Sequence, residues 1–380
     1  MARLVFGQGG VHACMAGARL TVPLLALHQG HSTAVAGILV ALFGVAQMAL
    51  SMPASRMSDR YGLKRPVYAG AIVALIGVLL AAAWPSLPGL ALAALLEGGA
   101  IIVLVVAVQR HVGRLARNAD ELRSVFSWAS FTPAASNFVG PAFAGLAIDA
   151  FGFRTAFLLL GIGPLLSCII VRGAHHLPPP ASVSEQRPDL WLLLRDAGVR
   201  RVLLMNGFVS SVWEVHGVMV PLIGHARGLS AAAIGGILGA FAVSAAFVRL
   251  MVPWLGRHWR EWQLITAALV MAAALLGLYP LMTNAAAMAV CSIVLGLAGG
   301  GVQPLVMSLL HQITPPHQHG SVVASRLMMI NGTAIVMPIL AGAAGGLIGV
   351  SAVFWISSAA LLVGVRMSGA LRHLKLPAHQ

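Results

Sequence analysis

Stretches of about 20 mostly apolar residues follow one another almost from end to end of this chain, which is the length of helix needed to cross a bilayer. A chain built this way has few folds open to it. With no water in the hydrocarbon layer, each backbone polar group must be paired inside the structure, which leaves bundled helices or a closed barrel. Alternating strands of about ten residues, the signature of a membrane barrel, are not found. Composition agrees: 59% of the 380 residues are hydrophobic and 9% charged, and the mean hydropathy is +0.89. A soluble domain needs far more surface charge. The reading is therefore an all-α integral membrane protein.

Twelve spans are predicted. The first six run over 5–27, 32–54, 66–84, 88–110, 123–147 and 154–172. The second six run over 202–226, 231–253, 262–282, 286–311, 320–346 and 350–368. The first run is too long, and too clearly one of many, for a cleaved signal peptide. Residues 1–174 are read as one six-helix bundle, 175–201 as a polar linker and 202–380 as a second bundle. Within the linker, Leu190–Arg201 is amphipathic and is expected to lie along the membrane surface. Of the 24 Lys and Arg residues, Arg154 and Arg227 fall on one side and Arg19, Arg249 and Arg326 within spans. The other nineteen fall on the opposite side. Basic loops stay in the cytoplasm, so both termini and the linker are expected there, with a bacterial inner membrane as the location.

The two halves repeat each other. At an offset of 198, Val22-Pro23-Leu24 falls on Val220-Pro221-Leu222, Gly30 on Gly228, Ser32 on Ser230, Gly37 on Gly235 and Phe43 on Phe241. At an offset of 197, Pro141, Gly145 and Gly152 fall on Pro338, Gly342 and Gly349. A repeat of six spans is parallel, related by an axis along the membrane normal, as in transporters that rock about a site between their halves.

Between spans two and three stands Ser-Arg-Met-Ser-Asp-Arg-Tyr-Gly-Leu-Lys-Arg, residues 55–65. This string resembles the loop signature of the major facilitator superfamily, Gly-x-x-x-Asp-Arg-x-Gly-Arg-Lys. Asp59, Arg60 and Gly62 match it, Lys64 and Arg65 supply the basic pair, and Ser55 replaces the first glycine. Val139-Gly140-Pro141 with Ala144-Gly145 resembles the fifth-helix Gly-Pro motif carried by many of that family's antiporters. Leu295–Leu305 resembles its glycine-rich tenth helix. The family's antiporters often have an arginine in helix four, three residues before Gln-Gly; here Ala94 and Glu97-Gly98 stand there. The resemblance implies two pseudo-symmetric six-helix bundles and alternating access. It also implies that the loop signature gates one face, with Asp120 and Glu121 as partners for its cations.

Charges inside spans are costly and mark function. Arg19 in the first span and Glu97 in the fourth sit at similar depth, ~12–14 Å from the outer end. They are read as a pair that either binds substrate or locks the first bundle. Glu214 has no basic residue at matching depth. It is the first candidate for proton coupling, with Glu97 the second, because isolated carboxylates in low dielectric take up protons. His216 follows two residues later, about 200° around the helix. Gln303 and Asn137 are candidate substrate ligands or helix bridges. Arg249 is expected to snorkel toward the interface.

Three scattered cysteines give neither a disulfide framework nor a metal site. No strand precedes the glycine runs, so a nucleotide fold is excluded, and no nucleophile–base set suggests an enzyme. The expected protein is a secondary transporter, functioning as a monomer in a lipid bilayer. It would act without cofactor, metal or nucleic acid, on a small-molecule substrate with protons as the coupling ion. Proton-coupled efflux is the leading reading. Uptake of an anionic metabolite held by Arg19 is the second, and a non-transporting sensor or scaffold the third.

Overall fold

A computed structural model describes residues 2–115, 119–172, 196–315 and 318–369, and all its regular elements are helices. The first half contains α1 (Ala2–His28), α2 (Thr33–Tyr61), α3 (Lys64–Ala83), α4 (Leu87–Leu115), α5 (Ala119–Leu160) and α6 (Ile162–Arg172). The second contains α7 (Ala197–Ala226), α8 (Ala231–His258), α9 (Glu261–Leu278), α10 (Ala285–Gly300), α11 (Val302–Ile313), α12 (His319–Ile348) and α13 (Val350–Ser368). A short 3-10 turn, Tyr279–Leu281, ends α9, and α10 and α11 make one crossing that is broken at Gly301.

Among the described residues, eleven helical stretches are long and apolar enough to span a membrane. One of them, Thr132–Arg172, is 41 residues long, or ~60 Å at 1.5 Å per residue, enough for two crossings. It folds back at Gly152, where φ is 79° and ψ 171°. The reversal shows in the packing on α1, since Gly140 and Leu160, on opposite sides of the bend, both lie against Gly17. Twelve crossings result, as the sequence predicts. The residues expected to form a surface helix lie mostly outside the described residues. The part that is described, Ala197–Arg201, is instead the start of α7, whose N-terminus is capped by Asp196 through Val199 N–H at 2.9 Å.

The repeat is visible in the backbone. Gly30 and Gly228, at matching offset, have φ of 83° and 67°, and Gly152 and Gly349 have φ of 79° and 88°. Only glycine visits that region at low cost, so the same two turns recur in each half. Ser32 and Ser230 cap the following helices, accepting from Val35 N–H and Ala233 N–H. Gly98 of α4 lies on the Phe43 carbonyl, and Gly296 of α10 on the Phe241 carbonyl, again 198 residues apart. Close helix approach of this kind, with small residues at the contact, is how bundles pack in lipid.

The halves meet through two equivalent interfaces. Gly37 of α2 packs against Pro338 and Gly342 of α12, while Gly235 of α8 packs against Pro141 of α5. Gly145 of α5 meets Ala231 and Ala232 at the start of α8. Helix backbones touch directly there, and a side chain at Gly342 would place Cβ 2.6 Å from the Thr33 carbonyl. These contacts lie toward the face that carries the turns at Gly30, Gly152, Gly228 and Gly349. The other face carries the basic residues, from Arg56 to Arg65 and from Arg257 to Arg260.

On the turn-bearing face, Asp149 at the end of the fifth crossing reaches across to the second half. Its two carboxylate oxygens accept from Ala231 N–H and Ala232 N–H, each at 2.9 Å. With Ser230 this satisfies three of the free N–H groups that open α8, and the carboxylate sits at the positive end of the helix dipole. Thr33 adds a second link, its hydroxyl donating to the Gly342 carbonyl at 2.9 Å. Asp149→Ala is expected to remove about 1 kcal/mol and to loosen this face roughly fivefold. The check is labelling of Leu24→Cys, in a background lacking the three native cysteines, by a membrane-impermeant maleimide. Unchanged labelling would mean that Asp149 does not hold the face shut.

Candidate functional site

Each half leaves a polar strip facing the other. From the first half come Arg19 of α1 and Asn137 of α5; from the second come Glu214 of α7, Gln303 of α11, Arg249 of α8 and Arg326 of α12. Two adjoining cavities lie among them, the smaller between the halves and the larger lined from the second half. A small one, about 70 Å³, is lined by Arg19, Asn137, Pro141, Glu214 and His216, among others. A larger one, about 240 Å³, is lined by Ser210, Arg249, Gln303 and Ile330. Trp213, Glu214 and Phe241 form the wall common to both.

The charged pair of the site is not the one expected. Arg19 Nη2 contacts Glu214 Oε2 at 2.5 Å, the one salt bridge among the described residues. It joins helices 195 positions apart and crosses from one half to the other. The reading of Glu214 as an acid lacking a cation is thereby corrected, and so is the pairing of Arg19 with Glu97. Depth counts place a residue along its helix but not the direction in which the helix turns it. The Arg19 side chain is 28% exposed and that of Glu214 10%, so the pair is desolvated but open to the cavity.

Glu97 faces inward in its own half. It is 1% exposed, accepts from the Cys14 thiol at 3.6 Å through Oε1, and leaves Oε2 unpaired among the described residues. Gly77 of α3 makes room for it, since a Cβ there would come within 3.2 Å of Oε1. It lines neither central cavity. Among the described residues, Glu97 rather than Glu214 is a buried intramembrane acid with no cation beside it.

His216 lines the smaller cavity, but its ring points into the second half. Nε2 bonds Ser292 Oγ at 2.9 Å, and Ser292 Oγ also bonds Tyr279 OH at 2.8 Å. Phe241 stacks on the imidazole at 4.2 Å. Gln303 bonds Ser210 through Nε2 at 3.3 Å and accepts from Arg326 through Oε1. It is thus both a cavity wall and a bridge between α7, α11 and α12. Arg249 does not snorkel away; it lines the larger cavity and donates through Nε to the Gly300 carbonyl at 3.1 Å. Gly140 and Gly145 are helix-contact residues, the first against Ala13 of α1 and the second against α8.

In the loop signature, Gly62 takes φ 69° to end α2. Lys64 Nζ donates to the Arg172 carbonyl at the end of α6, at 3.1 Å. Arg60 and Arg65 flank the Tyr61 ring, 5.3 and 5.4 Å from its centre. The side chains of Asp59, Asp120 and Glu121 lie outside the described residues. The two cations of the other face have local roles. Arg154 donates to the Ala82 carbonyl at 3.0 Å, and Arg227 to the carbonyls of Pro280, at 2.5 Å, and Met282. Both thereby satisfy helix-terminal acceptors.

Two packed six-helix halves around a polar centre define a membrane transporter rather than an enzyme. The sequence model of the Major Facilitator Superfamily matches residues 4–285 and 202–379, and the chain belongs to that family. It is 32% identical over 118 residues to the inner membrane transport protein YajR of Escherichia coli (strain K12). That match spans 30% of this chain and about a quarter, 26%, of YajR. The fold is shared with a mutant of the nucleoside transporter NupG, at 15% identity and a TM-score of 0.78, covering 97% of this chain and 98% of that one. It is also shared with an inward-facing bacterial homologue of the human lysosomal transporter Spinster, at 12% identity and a TM-score of 0.80, covering 97% and 96%.

Proposed function

We propose that the chain is a secondary active exporter that exchanges a small organic molecule for protons by alternating access, with its basic face in the cytoplasm. The carrying observation is the salt bridge between Arg19 and Glu214. It spans the two halves at the wall shared by both cavities, so a substrate that competes for either partner changes what holds the halves together. The Gly140-Pro141 motif favours export over uptake. Arg19, Asn137 and Gln303 are the substrate contacts in this reading. Glu97 is the proton site, a buried acid with one weak donor and no cation, and Glu214 responds to substrate through Arg19. The loop signature, Asp59 to Arg65, closes the basic face in the opposite state.

The test uses everted membrane vesicles with an acidified lumen and a pH-sensitive dye, challenged separately with benzoate, citrate and ethidium. At least one compound should release protons in a protein-dependent way. Glu97→Gln should abolish that release while leaving exchange of labelled for unlabelled compound intact. Release at the native rate in Glu97→Gln would remove Glu97 from the proton path. Silence with all three compounds, together with no exchange, would favour the non-transporting reading.

A further inference from the structure

We propose that Arg249 and Arg326, with Gln303 and Ser210, form an anion-binding site that holds the carboxylate of a small, largely apolar organic acid. This deepens the transporter reading and rests on it. Arg19 has its charge matched by Glu214. Arg249 and Arg326 have no carboxylate partner among the described residues. Both stand at Gln303, which shares the cavity wall with Arg249 and accepts from Arg326.

Their hydrogen bonds are unfinished too. Arg249 uses Nε on the Gly300 carbonyl, and its Nη groups make no hydrogen bond among the described residues. Arg326 spends Nη2 on Gln303, and its Nε is buried without a partner. Two intramembrane guanidinium groups are costly to keep unless they serve a ligand, and the fork of donors on each suits a carboxylate.

The rest of the cavity selects the body of the ligand. Its wall is Trp213, Phe241, Val209, Val212 and Ile330, so an apolar or aromatic group packs beside the acid head. At about 240 Å³ it lies below the range usual for drug-sized ligands. The carboxylate meets Arg249 in the cavity wall, with Arg326 behind Gln303, to which it donates. Its body then reaches Trp213, one residue from Glu214 and the bridge between the halves.

The experiment is a titration of the purified full-length protein in detergent with sodium benzoate, at constant ionic strength in chloride, following tryptophan fluorescence. Trp213 lines the cavity, so Trp213→Phe should remove most of the response. The expected result is saturable binding that weakens at least tenfold in Arg326→Gln and in Arg249→Gln. It should be unchanged in Arg257→Gln, which alters an exposed cation of the same face. If a glutamine variant does not fold, Arg326→Lys and Arg249→Lys keep the charge but lose the fork, and a threefold or greater loss is expected. Native affinity in the arginine variants would overturn the proposal. So would benzylamine binding as well as benzoate, or inorganic phosphate binding more tightly than benzoate. Proton release driven by ethidium but not benzoate would overturn the anion site and leave the transporter reading standing.

Discussion

Arg19→Ala is expected to destabilise the folded protein by about 3 kcal/mol, the low end for breaking a buried ion pair. The low end applies because the guanidinium is 28% exposed to the cavity. The loss comes from Glu214, which would stay desolvated without its cation. Glu214→Gln should cost a similar amount for the converse reason. The double variant Arg19→Ala/Glu214→Gln should be much less damaged than the sum of the single changes, because neither charge is then left alone. Thermal unfolding in detergent with and without each change supplies the cycle. Additivity within about 0.5 kcal/mol would mean that the two side chains do not act as a pair. Transport should fail in all three variants if the pair couples substrate to the movement of the halves.

Gly235→Val should have the second large effect. The glycine lies directly on the Pro141 carbonyl, and a branched side chain there has to push α8 away from α5. Overpacking of this kind costs about 1–3 kcal/mol, which is roughly a 5–150-fold shift between two states that differ in this contact. The shift should favour the state in which the turn-bearing face is open. Labelling of Leu24→Cys should rise, and transport should fall by the same order. Gly236→Val is the control, because a Cβ at Gly236 would meet nothing within 4 Å. Equal effects at the two positions would argue that general loss of helix packing, not the contact with Pro141, is responsible.

The twelve crossings, the doubling of the chain and the break between residues 147 and 154 were legible in the sequence because each is one-dimensional. Apolar length sets a crossing and its end, and an offset sets a repeat. The site was legible only in part. Arg19, Glu214, Gln303 and Asn137 were picked out as polar residues in apolar helices, and all four line the central cavities. Who pairs with whom was not, because depth along a helix says nothing about azimuth and Glu214 lies in the other half. Arg249 was misread for the same reason: nearness to a helix end looks like snorkelling until the direction of the side chain is known. Asp149 was passed over altogether. Its role depends on the start of α8, 82 residues away, and its one signal was an acid in a chain that has only ten.

The duplicated interfaces provide an internal control that most proteins lack. Gly37 against Pro338 and Gly235 against Pro141 are one joint made twice, so any lesion at one has a twin at the other. The two differ in their surroundings, since Asp149 supports α8 and Thr33 ties α2 to α12. Comparing twin lesions therefore separates what the repeated joint contributes from what its different surroundings add, and does so within a single polypeptide.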